Sequence, residues 1–184
     1  MKFIFVLFLI GFVFTSCKKS ELEKEFSCNN TNFSGDFEQN TDIKKTFSIQ
    51  IPTHWKTNFF YNDLQSSIYF ADTTKQLTET VLIDITQIKS DYKFDISFEN
   101  IISKNDSLHQ LINLKKKKFL FLKNKAFYSI SKGKKGNFSY QIVNIFINKE
   151  HINSYHIKAE VYGNSLINER LCKAINLIKI LELH

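Results

Sequence analysis

Proline and glycine are scarce in this sequence, with one Pro and five Gly among 184 residues. That scarcity excludes a collagen-like chain or a Pro/Gly-rich disordered one. No uncharged run after the N-terminal segment reaches the roughly 20 residues a membrane span needs, which excludes a membrane protein of many spans. Arginine is nearly absent too: Arg170 stands alone, so the formal net charge of +7 is a lysine charge. Lys, Asn, Ile and Phe are abundant together, as an AT-rich genome produces, and the basicity is therefore no sign of a nucleic-acid partner. Neither a Gly-rich phosphate loop, a G-x-S-x-G elbow nor an internal repeat occurs, and no Cys or carboxylate sits at zinc-site spacing. Composition thus calls for no cofactor. What is present, 43% hydrophobic residues against 23% charged, suffices for one folded domain with a core.

The chain starts Met1-Lys2, followed by twelve uncharged residues from Phe3 to Phe14 and then Thr15-Ser16-Cys17. A positive start, an apolar run and small residues before a cut site make a secretory signal. As a helix the run reaches roughly 18 Å, short of a hydrocarbon core of about 30 Å, so it cannot span. Phe14-Thr15-Ser16-Cys17 resembles the lipobox of bacterial lipoproteins, in which the chain is cut just before a lipid-modified Cys. The resemblance implies lipidation of Cys17 by acyl chains such as palmitate. It also implies a cell-envelope location, anchored by lipid on the periplasmic side or the cell surface. Two acyl chains suffice for stable anchoring. An ordinary secretory signal with an incidental Cys is the other reading.

Three segments follow: a lipoprotein signal peptide over 1–16, a lipidated N-terminus and flexible tether over 17–45, and a single domain over 46–184. The tether region is polar and lacks a sustained period, with Phe26, Phe33 and Phe37 as points where it could dock. In the domain, Phe47–Ile51 alternates strictly and stops at Pro52. Ser66–Asp72 and Val81–Ile88 read as strands, and Asp95 to about Leu111 as a helix capped by Asp95 or Ser97 with Phe98, Ile101, Ile102, Leu108 and Ile112 near one face. Strands return at Phe119–Leu122, Ala126–Ser131 and Tyr140–Ile147, with a hairpin connection at Gly133–Asn137. Tyr155, Ile157, Ala159 and Val161 alternate with His156, Lys158, Glu160 and Tyr162, so that strand should have one wet face. Gly163-Asn164-Ser165 is expected to cap a closing helix to about Ile180, with Leu171, Ile175 and Ile178 inward and Leu166, Ile167 and Leu181 widening the stripe. Strands that run together with helices arriving separately indicate an α+β fold: an antiparallel sheet of about six to seven strands with two helices.

The opening Phe47-Ser48-Ile49-Gln50-Ile51-Pro52-Thr53-His54-Trp55, the mid-chain helix, the long hairpins and the closing helix are similar to the PsbP/Mog1-like fold, over about Lys45 to the C-terminus. The resemblance implies a binding or assembly module more than an enzyme, and no functional residue set travels with it. Trp55 is expected to cover one end of the core.

Of the five histidines, His54, His109, His151, His156 and His184, none forms a helical ligand pair, and His151 and His156 should face opposite sides of a strand. Asp84 is read as solvent-facing. With Cys17 lipidated, Cys28 and Cys172 remain in an oxidising compartment. A disulfide would pin the tether to the closing helix; two unpaired thiols, with Cys172 buried, are the alternative. Asp106-Ser107-Leu108 resembles the Asp-Ser/Thr-aliphatic O-glycosylation site of Bacteroidetes-type bacteria, which would modify Ser107; a helix cap at Asp106 or Ser107 competes with it. Lysines at 115–118, 123, 125, 132, 134 and 135 could share one sheet edge and face anionic lipid or an acidic envelope protein, or could simply guard that edge. Two functions follow: a lipid-anchored, non-enzymatic binding or assembly module, or an envelope hydrolase-like enzyme with a dispersed site. The enzyme reading requires a deep pocket joining His151 or His156 to a carboxylate of perturbed pKa. A carrier of an apolar ligand would instead require a cavity between sheet and helices.

Overall fold

A computed structural model of the chain describes residues 19–29, 33, 35–149 and 153–184; the segment read as a signal, Cys17 and His151 lie outside them. The main sheet has seven antiparallel strands in the order β3-β4-β5-β9-β8-β7-β6. These are β3 (Lys56–Tyr61), β4 (Gln65–Ala71), β5 (Leu82–Lys89), β6 (Ile112–Phe121), β7 (Asn124–Lys135), β8 (Phe138–Lys149) and β9 (Asn153–Tyr162). A smaller sheet places β2 (Phe47–Pro52) between β1 (Phe37–Thr41) and β10 (Glu182–Leu183). The fold is α+β, as the order of the elements predicts.

Period-two alternation gives the main sheet two unlike faces. Ile83, Ile85, Val143, Ile145, Tyr155, Ile157 and Val161 are buried on the inner face, against Phe47, Ile49 and Ile51 of β2 and the helix α3 (Ile167–Ile178). On α3 the stripe Leu171, Ile175 and Ile178 is fully covered together with Ala174 and Leu177, whereas Leu166 is exposed. Trp55 is buried, its ring centroid 6.1 Å from that of Phe70, and closes one end of this layer. Arg170 is buried and donates to the carbonyls of Thr80 and Tyr162, tying the first turn of α3 to the sheet.

The expected cap of α3 is not used. Gly163 has φ +76°, and a Cβ there would meet Thr78 at 3.0 Å, so this glycine turns the chain tightly off β9. The helix starts later, at a left-handed Leu166 without a side-chain cap bond. Asp95 does cap α2 (Ile96–Leu108), accepting from the Phe98 amide. Asp106 and Ser107 cap nothing; they lie inside the last turn of α2.

The described residues of the stretch read as a tether, 19–29, 33 and 35–45, are built into the fold. A short helix, α1 (Glu21–Glu25), seats Leu22 and Phe26 in the core beside α3, and β1 pairs with β2 from Ser48 to Pro52. Five helical residues are too few to show a period, but Ser20 and Glu23 carry the capping-box spacing and form that box. Cys28 is joined to Cys172 in a disulfide, with Cα atoms 5.4 Å apart, at the same α1–α3 contact. Burial alone would raise the Glu23 pKa, but hydrogen bonds from Lys179 and Ser20 outweigh it and hold the carboxyl below its ordinary value.

The β1–β2 turn depends on Asp42. Its Oδ1 accepts from the amides of Thr46 and Phe47, and its Oδ2 from that of Lys44. The side chain is buried, so removing it strands these donors. Asp42→Ala is expected to lower unfolding free energy by about 2 kcal/mol or more in urea titration; a loss below about 0.5 kcal/mol, the range of a neutral surface change, contradicts this account.

Candidate functional site

The outer face of the main sheet is only half covered. Helix α2 lies over the β8-β7-β6 side, where Phe98 and Ile102 pack on Phe127 and Phe146 with Tyr92 and Phe94 at the margin. The Phe98 ring centroid lies 5.1 Å from Phe146 and 5.3 Å from Phe127. Only Phe98 and Ile102 of the predicted apolar stripe point inward; Ile101, Leu108 and Ile112 are exposed. The helix is pinned at its far end by Asp106, a buried carboxylate accepting from Ser131 (2.8 Å) and Asn113 (3.1 Å).

Beyond α2 the sheet is bare, and strand register sets the side chains there in cross-strand rows. One row runs Tyr69, Asp84, Lys158, Asn144; the next runs Ser67, Thr86, His156, Phe146. Lys158 pairs with Asp84 at 2.7 Å, Thr86 donates to the same carboxylate at 2.9 Å, and Ser67 and Thr86 share a hydrogen bond of 2.8 Å. Asp84 therefore sits on the wet face, as read from the alternation. The His156 ring lies on Phe146, centroids 4.2 Å apart and 15° from parallel, and its Nε2 donates to Asn144 Oδ1 at 2.9 Å. Burial, reinforced by the charge of Lys158, pushes its pKa down to about 3. His156 is thus a neutral imidazole at neutral pH.

Next along the groove, Glu160 accepts from Tyr140 at 2.8 Å and faces Lys135 at 4.0 Å. Lys135 stands over the rings of Tyr140 and Tyr162 at 5.1 and 5.5 Å. A hydrogen bond with Tyr162 and the charge of Glu160 hold this ammonium above its ordinary pKa against partial burial. Burial and the neighbouring Glu160 drive the Tyr140 phenol well above its ordinary range. Between the end of α2 and this row lies a hollow of about 360 Å³, and a second of about 330 Å³ opens toward Phe60 on β3; both include His156 and Lys158.

The predicted sites fall apart in space. His54 is exposed in the β2–β3 turn, His109 donates from Nδ1 to the Asn105 carbonyl at the end of α2, and His184 shares a hydrogen bond with Ser48. No group of three His, Cys, Asp or Glu side chains among the described residues could hold a metal ion. Ser107 is exposed on α2, its hydroxyl donating to the Ser103 carbonyl. The basic run lies on the edge strand β6, where Lys115, Lys117 and Lys118 pair with Glu25, Glu21 and Glu99. Acidic side chains of α1 and α2 thus neutralise much of that edge, so it is not a free cationic patch. Sequence reasoning missed the groove itself. Its only early signal was the wet side of β9, which carries His156, Lys158 and Glu160.

No protein-family model and no curated protein matches the sequence. Solved structures do match the fold. The Saccharomyces cerevisiae Ran-binding protein Mog1p superposes with a TM-score of 0.52 at 9% identity, over 82% of this chain and 96% of that one. Cyanobacterial PsbP (CyanoP) from Synechocystis gives 0.52 at 6% identity, over 85% and 97%. The fold is that of Mog1 and PsbP. A Bacteroides thetaiotaomicron crystal structure gives 0.51 at 14% identity; this chain, matched over 83% of its length, spans 49% of that one. Within the Mog1/PsbP fold of this chain, α2 and the β7–β8 hairpin form the walls of the groove and β9 its floor. No helix among the described residues is long and apolar enough to cross a membrane.

Proposed function

We propose that this protein is a lipid-anchored lipoprotein of the cell envelope, moored through Cys17, and that it works as a non-enzymatic binding or assembly module. The observation that carries the reading is the groove beside α2. Asp84 is paired with Lys158 and Glu160 with Lys135, and the histidine is neutral and bonded to an amide rather than to a carboxylate. A catalytic site would place a carboxylate of shifted pKa within reach of that imidazole. A row of engaged donors and acceptors on an open sheet face suits recognition of a partner's polar surface. The likeness in fold to a Ran-binding protein supports a protein partner. The inner layer is filled by side chains of β2 and α3, which disfavours a carrier of apolar ligands. Ser107, exposed beside the groove, would be the glycan acceptor in this setting.

Cys17→Ser is expected to abolish both the added acyl mass and membrane fractionation, while the parent shows both. A photoreactive residue at Thr86, in the groove, should give a discrete protein adduct in the native envelope; one at Glu38, on the exposed face of β1, should not. Equal labelling from both positions, or turnover of an envelope substrate that His156→Gln abolishes, would overturn the proposal.

A further inference from the structure

The two edges of the main sheet are treated differently. Edge β6 carries Lys115–Lys118, has a register shift between Asn113 and Lys115, and is bridged by acids of α1 and α2. Those are the usual guards of an unpaired strand. Edge β3 has a single lysine, Lys56 at its start, with no register shift and no ion pair among the described residues: it reads Lys-Thr-Asn-Phe-Phe-Tyr, with Phe59, Phe60 and Tyr61 exposed by 40, 59 and 65%, and the sheet order ends there.

The ladder shows which backbone groups that edge offers. The Asn62 amide donates to Gln65, and that of Lys89 to Leu64, so hydrogen-bonded pairs alternate from these points. Given the β3–β4 register, Lys56, Asn58 and Phe60 turn their amides and carbonyls toward β4. Thr57, Phe59 and Tyr61 turn theirs outward, where no strand of the described residues pairs.

We infer that β3 is a self-pairing edge, on which a second copy of this chain adds its own β3 antiparallel about a two-fold axis at Phe59. A two-fold axis normal to the sheet preserves faces, so residues of like parity must oppose each other. Centred on Phe59, the register sets Phe59 against its own copy and Thr57 against the partner's Tyr61. All the outward-facing residues then become hydrogen-bonded pairs, with an aromatic pair at the axis. On the outer face Asn58 meets the partner's Phe60. Each Lys56 comes to the partner's Asn62-Asp63 turn, so no like charges oppose. The same operation on β6 would set lysine against lysine, and joining β3 to β6 would propagate an open filament instead of closing. Because Phe60 lines the hollow beside Thr86, the pairing also joins the two grooves across the axis.

Sedimentation equilibrium over a concentration series is expected to show a monomer–dimer equilibrium. Phe59→Pro removes an outward amide and leaves the hydrogen bonds to β4 in place, and Phe59→Lys sets like charges together at the axis; each should be monomeric at every concentration while keeping the parent's folded circular-dichroism spectrum. Mixing the Phe59→Lys and Phe59→Glu variants should restore the dimer, an outcome peculiar to residue 59 opposing itself. A parent that stays monomeric throughout, a dimer that survives both single variants, or a mixture that fails to reassociate would overturn the inference. So would loss of a foreign-protein adduct in Phe59→Pro from a parent that is monomeric by itself.

Discussion

Reduction of the Cys28–Cys172 bridge is expected to cost about 2–5 kcal/mol of stability, measured as the shift in urea midpoint between oxidised and reduced protein. The two cysteines are 144 residues apart in sequence, and in the chain-entropy model a loop of that length corresponds to roughly 5 kcal/mol, toward the upper end of what such bonds supply. Locally, the bridge holds α1 against α3, where Leu22 is fully buried, Glu23 meets Lys179 at 2.9 Å and Lys19 donates to the Cys28 carbonyl at 2.7 Å. Five helical residues cannot persist unsupported, because helix nucleation is unfavourable at that length. In the reduced protein the segment before β1 should therefore become the first site of protease cleavage. In Cys17→Ser protein, denatured but unreduced, thiol titration should find no free thiol. Finding both Cys28 and Cys172 free, or equal midpoints with and without reductant, would contradict this account.

The second large effect is a pH dependence centred on His156. In the unfolded chain an imidazole titrates near 6.5; in the fold, burial and then Lys158 bring this one down to about 3. Between those values the unfolded chain binds a proton that the folded chain does not. Its contribution is therefore fully present above pH 6.5 and is lost as the pH falls toward 3, with a limiting slope of about 1.4 kcal/mol per pH unit. His156→Gln keeps a donor toward Asn144 and removes the titration. Between pH 6 and pH 4 the variant should lose about 2 kcal/mol less than the parent in denaturant titrations. Parallel stability curves would show that the imidazole is not held neutral. A binding surface that depends on this row should weaken over the same interval, since a charged His156 would stand beside Lys158.

Much of the architecture was legible wherever one face of an element is buried and the other is wet. The alternation of Tyr155, Ile157, Ala159 and Val161 identified β9 and its solvent side, and the spacing of Leu171, Ile175 and Ile178 identified α3. Elements whose residues are nearly all exposed left no such trace. Strand β3 is solvated along most of its length, so its pairing with β4 rather than a hydrophobic period makes it a strand. Strand β1 is exposed at Phe37, Glu38 and Gln39 and exists through β2. Helix α1 is shorter than two turns and depends on α3 and the bridge. Ile101 and Leu108 share a helical face by spacing, yet remain exposed because α2 covers only part of the sheet.

By itself the sequence determined the class of fold and the wet side of β9, because these are written in neighbours along the chain. The groove, the neutral state of His156, the bare β3 edge and the pairing of the β6 lysines with α1 and α2 were decided only by tertiary structure. Each depends on which strand lies beside which, and on how far α2 extends over the sheet, and such long-range choices follow from burying the whole core at once.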